Sequence, residues 1–423
     1  MRRFLQLFRV KDLRKKIVIV VGLLVAFRLL AAIPIPGVDA ERLSTFFSTN
    51  QFFGFLNLFA GGGLANLSVA MLGVGPYITG TIIMQLLTIV FPKLKQLYFG
   101  EGARGQAKFN QYSRILTVPL AFLQAYGFLS LLIAQGVIDR PGIFELLTNV
   151  VVITAGSMIV LWLGELISEQ KIGNGISLII FAGIVSDIPS SVGLAIASYQ
   201  PSLLPVYIGF LVAVLIIVGG IVYLNEGERK VPIAYARRVR GMRLYGGASS
   251  YLPLKVNQAG MIPLIFAISV LLFPQFIAQM LSVVSADLGV RVNDLVNRFL
   301  ANQLVYGVVY FVLVFLFTYF YTAVTFDPKE IAKNLQRSGG FIPGIRPGEN
   351  TGEFFSRIIR RITFFGAFFL GLIAILPIVI QQLTGVSVLN ISGTAILIVV
   401  AVALETMRQI DSQLTIREYE GLQ

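Results

Sequence analysis

Ten apolar stretches, each about long enough to cross a lipid bilayer as a helix, recur along the chain and constrain its fold more than any other feature. They lie near residues 17–33, 72–91, 115–134, 148–164 and 172–188, then near 203–224, 258–281, 304–325, 362–383 and 390–407. Five precede residue 189 and five follow it. The expected fold class is therefore an all-α polytopic membrane protein in two five-helix halves, 1–188 and 189–423. Helices are the natural solution because hydrocarbon offers no partner to an exposed backbone N–H or C=O. Of 423 residues, 56% are hydrophobic and 13% charged, against about 25% charged in soluble domains, as a chain with lipid for a second solvent requires.

The connections differ in charge. One set collects Arg2, Arg3, Arg9, Lys11, Arg14, Lys15 and Lys16, then Lys93, Lys95, Arg104, Lys108 and Arg114. The loops at about 225–257 and 326–361 add further basic residues, among them Arg237, Arg238, Arg240, Arg243 and Arg346. The alternate connections hold only Arg42, Arg140, Arg291 and Arg298. This asymmetry predicts both termini on the cytoplasmic side. The basic start with its apolar run resembles a signal peptide, but no small-residue cleavage pattern follows Ala31-Ala32-Ile33-Pro34, so it is read as retained. Phe4, Leu5, Leu7, Phe8 and Leu13 among the first cations predict an amphipathic segment along the inner membrane surface. Both long loops mix charge with Pro and Gly turn signals, which predicts structured projections able to dock a large acidic or nucleic-acid-bearing partner.

Between Arg42 and Lys93 there is no charged residue, and the run is broken by Gly61-Gly62-Gly63, Gly73 and Gly75-Pro76. It is too long for one span, so it is read as a re-entrant segment at 64–71 followed by a full helix. Such backbone at membrane depth needs burial in protein or a wet cavity. The alternative is a loosely packed loop on the outer surface.

Chemistry is scarce. There are no cysteines and no histidines, which excludes disulfides, thiolate sites and imidazole catalysis. Glu165, Asp187, Glu405 and Arg408 fall at predicted helix ends, and Arg28 sits near the outer end of the first stretch, where it can snorkel. No phosphate loop of the form GxxxxGK[ST] is present. An intramembrane enzyme lacks a nucleophile and base pair. Two readings remain: an uncharged conduit sealed by apolar side chains, and an ion-coupled secondary transporter of a small solute, which ordinarily carries ionisable groups at mid-membrane.

Four motifs separate them. They are Gly73-Val74-Gly75-Pro76-Tyr77-Ile78 leading into Ile83-Met84-Gln85-Leu86-Leu87-Thr88; Gly173-Asn174-Gly175-Ile176-Ser177 with Ile180-Phe181-Ala182-Gly183-Ile184; Leu252-Pro253-Leu254-Lys255-Val256-Asn257; and Ser338-Gly339-Gly340-Phe341-Ile342-Pro343-Gly344-Ile345-Arg346-Pro347-Gly348 after Lys333-Asn334-Leu335. With these the chain resembles the SecY family, the central channel subunits of bacterial protein translocases, over essentially its whole length.

The resemblance implies two pseudo-symmetric halves around an hourglass pore with a lateral opening to lipid. It implies a constriction of Val74, Ile78, Ile180, Ile184, Ile265 and Ile398, of which 74/78 and 180/184 are i, i+4 pairs on one helix face. It implies a plug at about 61–71, a short helix including Gly63, Leu64, Ala65, Asn66, Leu67 and Ser68, and a lateral gate lined by Gln85, Gln124, Asn257 and Phe273. Arg237, Arg238, Arg240, Arg243 and Arg346 match the loop regions that family members use to meet a ribosome or the SecA ATPase. Further implied partners are the small membrane subunits SecE and SecG, signal peptides, unfolded preproteins and membrane lipids. The resemblance implies a channel and not an enzyme, without cofactor or metal, in the bacterial cytoplasmic (inner) membrane. Val74 is slimmer than the isoleucine common in the family, and the absence of histidine is unusual.

Overall fold

The computed structural model describes residues 10–36, 62–64, 66–134, 136–139, 141–197, 201, 204–235, 238–240, 243–245, 249–258, 260, 262–284, 286–384 and 393–420. It is mostly helical. In chain order the helices are α1 (Lys11–Ala32), α2 (Gly75–Val90), α3 (Pro92–Phe99), α4 (Gly102–Ala134), α5 (Ile143–Glu169), α6 (Gly175–Ala197), α7 (Leu204–Glu226), α8 (Ile262–Val284), α9 (Ala286–Ala301), α10 (Gln303–Thr325), α11 (Pro328–Arg337), α12 (Glu349–Thr384) and α13 (Gly393–Glu420). Each of the ten apolar stretches lies on one of them. Among the described residues, three runs are long and apolar enough to cross a membrane, namely Ile143–Glu169, Gln303–Arg337 and Glu349–Leu376. A fourth qualifies if the pair Gly75–Thr88 and Pro92–Tyr98, bent by 114°, counts as one. The bend has a local cause: Phe91 precedes a proline and is extended, at φ −108° and ψ 104°, so α2 stops there and Pro92 opens α3.

Two compact units result. The first comprises Met1–Leu203, Ser269–Gln303 and Val386–Gln423. Within it α2 packs on α4, α4 on α5, α5 on α6, and α1 on both α5 and α6, while α13 lies along α6. Several of its hydroxyl groups bond within the helices that carry them: Thr117 donates to Ser113 O at 2.8 Å and Ser113 to Phe109 O at 3.1 Å. That is the cheap arrangement where water is scarce. The Gly173-Asn174-Gly175 motif proves to be a helix start. Asn174 Oδ1 accepts from the N–H groups of Ile176 at 3.1 Å and Ser177 at 3.3 Å, capping α6, and Gly175 N–H donates to Ser168 Oγ at 2.9 Å.

The second unit comprises Leu204–Ile268 and Leu304–Gly385. Here the two long basic loops, separate in sequence, build one body. β1 (Glu228–Tyr235) pairs antiparallel with β4 (Ser249–Lys255) in the register Val231↔Leu252, and with β5 (Gly340–Phe341) in the register Tyr235↔Gly340. Between β1 and β4 lies a second ribbon, β2 (Arg238–Arg240) with β3 (Arg243–Tyr245). Val231, Ile233 and Leu254 of the sheet share a buried core with Leu335 of α11, Ile342, and Phe355, Ile358 and Ile359 of α12. α11 is well specified: Asp327 caps it by accepting from Lys329 N–H at 2.9 Å, and Pro328 takes its first turn.

Candidate functional site

The uncharged segment that precedes α2 is buried in the first unit. Leu64 is 2% exposed, and Leu67, Ser68, Ala70 and Met71 are fully buried, which removes the reading of a loose surface loop. Leu64, Leu67 and Met71 pack into a core with Ile35 and with Ala125, Phe128, Leu129, Leu132, Val150 and Ile153 from α4 and α5. Among the described residues of 62–74 the backbone is a run of turns and not the short helix expected of a plug. Gly62 at φ 80°, Leu67 at φ 39° and Gly73 at φ 52° are left-handed, and each interrupts any right-handed turn.

Instead the segment forms a small bridge to the chain leaving α1. Ile35 N–H donates to Leu67 O at 2.9 Å and Val69 N–H to Ile33 O at 3.0 Å, around the opposed pair Pro34 and Ser68. Ser68 closes the turn by donating both its N–H and its hydroxyl to Gly63 O, at 3.0 and 2.9 Å. From α5, Gly156 approaches so closely that a Cβ built there would lie 2.0 Å from Val69 O. Asn66 is exposed, and Ala65 lies outside the described residues.

Immediately after this segment come aliphatic helix faces. Val74 is 1% exposed and Ile78, one turn on, 8%; their i, i+4 relation is fixed by the bond from Ile78 N–H to Val74 O at 3.1 Å. Ile82 continues the same face at 4% exposure and was missed in the sequence reading, although 74/78/82 spacing was there to be read. On α6, Ile180 is fully buried and Ile184 nearly so, and Ile398 is buried on α13, the helix that packs against α6. Ile265 belongs to the second unit and is also buried, on α8.

The expected gate residues are distributed as follows. Gln85 on α2 is half-buried, and its Oε1 has no hydrogen-bond partner among the described residues; Gln124 is half-buried on the neighbouring α4. Asn257, in the second unit, is buried and donates through Nδ2 to Asn225 Oδ1 at 2.8 Å and to Gly260 O at 3.0 Å. The Phe273 side chain lies outside the described residues, as do residues 4–8 of the amphipathic start and Arg237.

The expected docking arginines fall on the sheet body. Arg238 and Arg240 lie on β2 and Arg243 on β3, with Arg240 and Arg243 as cross-strand partners; their side chains lie outside the described residues. Arg346 is exposed in the turn between β5 and α12, its carbonyl accepting from Thr351 Oγ1 at 3.0 Å. Gly344 and Gly348 flank it at φ 82° and 106°, so the projection is shaped by backbone that tolerates little but glycine. Among the described residues no group of acidic side chains could hold a metal ion. Glu165, expected at a helix end, forms an ion pair with Arg114 of α4.

A family model described as SecY matches residues 68–407. The chain belongs to the SecY family. A SecY described as "Protein translocase subunit SecY" from Mycobacterium bovis is 42% identical over 441 aligned residues, spanning 99% of this chain and 98% of that protein. Among solved structures, one described as "The structure of a protein conducting channel" superposes with a TM-score of 0.64 at 19% identity, over 93% of this chain and 91% of the other. Sec61 in the canine ribosome-channel complex from the endoplasmic reticulum superposes with a TM-score of 0.61 at 18% identity, again over 93% and 91%. These two likenesses are of fold. With a SecY relative matched along nearly its whole length, two of the four motifs acquire physical roles: Gly73–Ile78 ends the buried turn segment and starts α2, and Gly173–Ser177 caps α6.

Proposed function

We propose that this chain is the pore-forming subunit of a protein translocase. Unfolded polar polypeptide passes through it, and hydrophobic segments leave sideways into lipid. The observation that carries the reading is the buried, uncharged turn segment set directly before the Val74/Ile78 helix face. It is a plug-like element next to apolar side chains that carry no fixed charge to trap or repel a passing residue. The chain is a channel subunit and catalyses no reaction of its own. The transporter reading finds no support among relatives named as translocase subunits.

In this reading ten helices in two halves, 1–188 and 189–423, surround the pore, and Val74, Ile78, Ile180, Ile184, Ile265 and Ile398 form its waist. Their common support is family resemblance together with burial of every one of them. Residues 61–71 act as the plug, and Gln85, Gln124, Asn257 and Phe273 line the lateral exit. Gln85 Oε1, buried without a partner among the described residues, fits a face that exchanges contacts when a signal peptide arrives. The basic sheet body around β1 and Arg346 faces the cytoplasm of a bacterial inner membrane and receives a ribosome or SecA, with SecE and SecG as membrane partners. The canine relative in a ribosome-channel complex supports the ribosome arm of that proposal.

Site-specific crosslinking tests the conduit. A photoreactive residue at Ile180 or Ile265 is expected to capture a stalled secretory polypeptide, and one at the exposed Val151 of α5 is not. Capture at neither Ile180 nor Ile265 refutes the waist. Ion-gradient-driven uptake of a small solute by vesicles holding only this chain would restore the transporter.

A further inference from the structure

Arg28 of α1 and Asp187 of α6 are the two opposite charges that meet at the start of the buried turn segment. The charges attract, and Ser186 Oγ stands 3.5 Å from Asp187 Oδ1. Both side chains lie against Gly62: a Cβ built on that glycine would sit 2.8 Å from Arg28 Nη1, 3.3 Å from Asp187 Oδ1 and 3.7 Å from Asp187 Oδ2. Gly62 is buried, and its φ of 80° is a conformation that disfavours any other residue. Backbone and pair therefore fit each other closely, with no room for a side chain between them.

We infer that the Arg28–Asp187 pair is a latch: it ties α1 to α6 across Gly62 and holds the plug segment in its closed seat. This rests on the proposed role of that segment as a plug. Beyond Gly62 the seat consists of two backbone bonds at the Ile33–Ile35 bridge and a few buried apolar side chains. Both side chains are half-buried, so removing one partner leaves the other charge alone in a partly desolvated site, which is costly. With the segment seated, Gly62 packs against both side chains, so the pair closes over the entry of the segment and resists its withdrawal.

The chain contains no cysteine, which makes the test clean. With Pro34→Cys and Ser68→Cys, the opposed bridge pair, disulfide yield reports how often the segment is seated. Full-length channels with their co-purifying subunits are reconstituted in vesicles, and idle ion leak is recorded beside disulfide yield. The variants are Asp187→Asn, Arg28→Gln, the reversed pair Arg28→Asp with Asp187→Arg, and a deletion of residues 62–71. Each single neutralisation is expected to raise idle leak about three- to tenfold and lower disulfide yield, as loss of a partly buried pair implies. The reversed pair is expected to recover much of both. Singles that leak no more than the parent and crosslink as well overturn the latch, as does a reversed pair no better than the singles. If the deletion itself leaves the leak unchanged, the plug reading fails instead.

Discussion

Replacing Gly156 by alanine should unseat the buried turn segment without altering any of its own residues. The added Cβ would lie 2.0 Å from Val69 O, whereas ordinary contact begins at 3.4 Å, so one side must retreat by about 1.4 Å. α5 is poorly placed to move, being packed on α4, α6 and α1. The turn segment is held mainly by its bridge to residues 33–35 and by apolar contacts, so it is the side that yields. Overpacking of this kind costs about 1–3 kcal/mol, and if the strain is present only in the seated state it shifts the seated-to-displaced ratio by about 5- to 150-fold. The assay is conductance of idle channels in planar bilayers, with Val151→Leu on the exposed face of the same helix as control. Gly156→Ala channels as tight as the parent, in protein that still folds, would refute the argument that the segment is the yielding partner.

Ile184→Asn and Ile398→Asn should each place an amide at the proposed waist, raising idle ion leak in vesicle efflux assays while signal-dependent transport continues. Phe355→Ala, at a fully buried position under the β-sheet, should cost about 3–5 kcal/mol locally and expose the β1–β4 hairpin to limited proteolysis. Arg346→Glu should leave folding intact and weaken ribosome or SecA binding about fivefold in co-sedimentation; the loss should shrink as salt screens the contact.

Much of the helical architecture was legible because its cause is local. Each of the ten apolar stretches overlaps a described helix, although among the described residues only three runs, or four with the bent pair, are long and apolar enough to cross a membrane, and the breaks fall where Pro92, Gly75-Pro76 and Pro34 put them. The meeting of the two basic loops was not legible. β5 is two residues long and pairs with a strand about a hundred positions earlier, so no periodicity betrays it, and only the shared core of Val231, Ile233 and Phe355 makes it stable. Gly156 was equally invisible, because a close approach to Val69 is a property of α5 and the turn segment in place and not of either sequence. The aliphatic pairs 74/78 and 180/184 are readable from spacing, and the buried Ile82 extends the 74/78 face by one more turn.

With residues 62–71 as the proposed plug, their turns bear on how the channel opens. A helix would carry its own hydrogen bonds and could leave as a rigid body. A run of turns borrows bonds from residues 33 and 35, and Ser68 and Gly63 lock it internally. Leaving the seat therefore costs the bridge bonds and the burial of Leu64, Leu67 and Met71, on the order of 5–9 kcal/mol if those side chains met only water. A hydrophobic signal segment entering the same space buries several such side chains of its own and can offset that cost. A polar polypeptide cannot. In the proposed plug reading, selectivity for an apolar opening signal follows from what holds the closed state together, before any specific recognition of the signal is invoked.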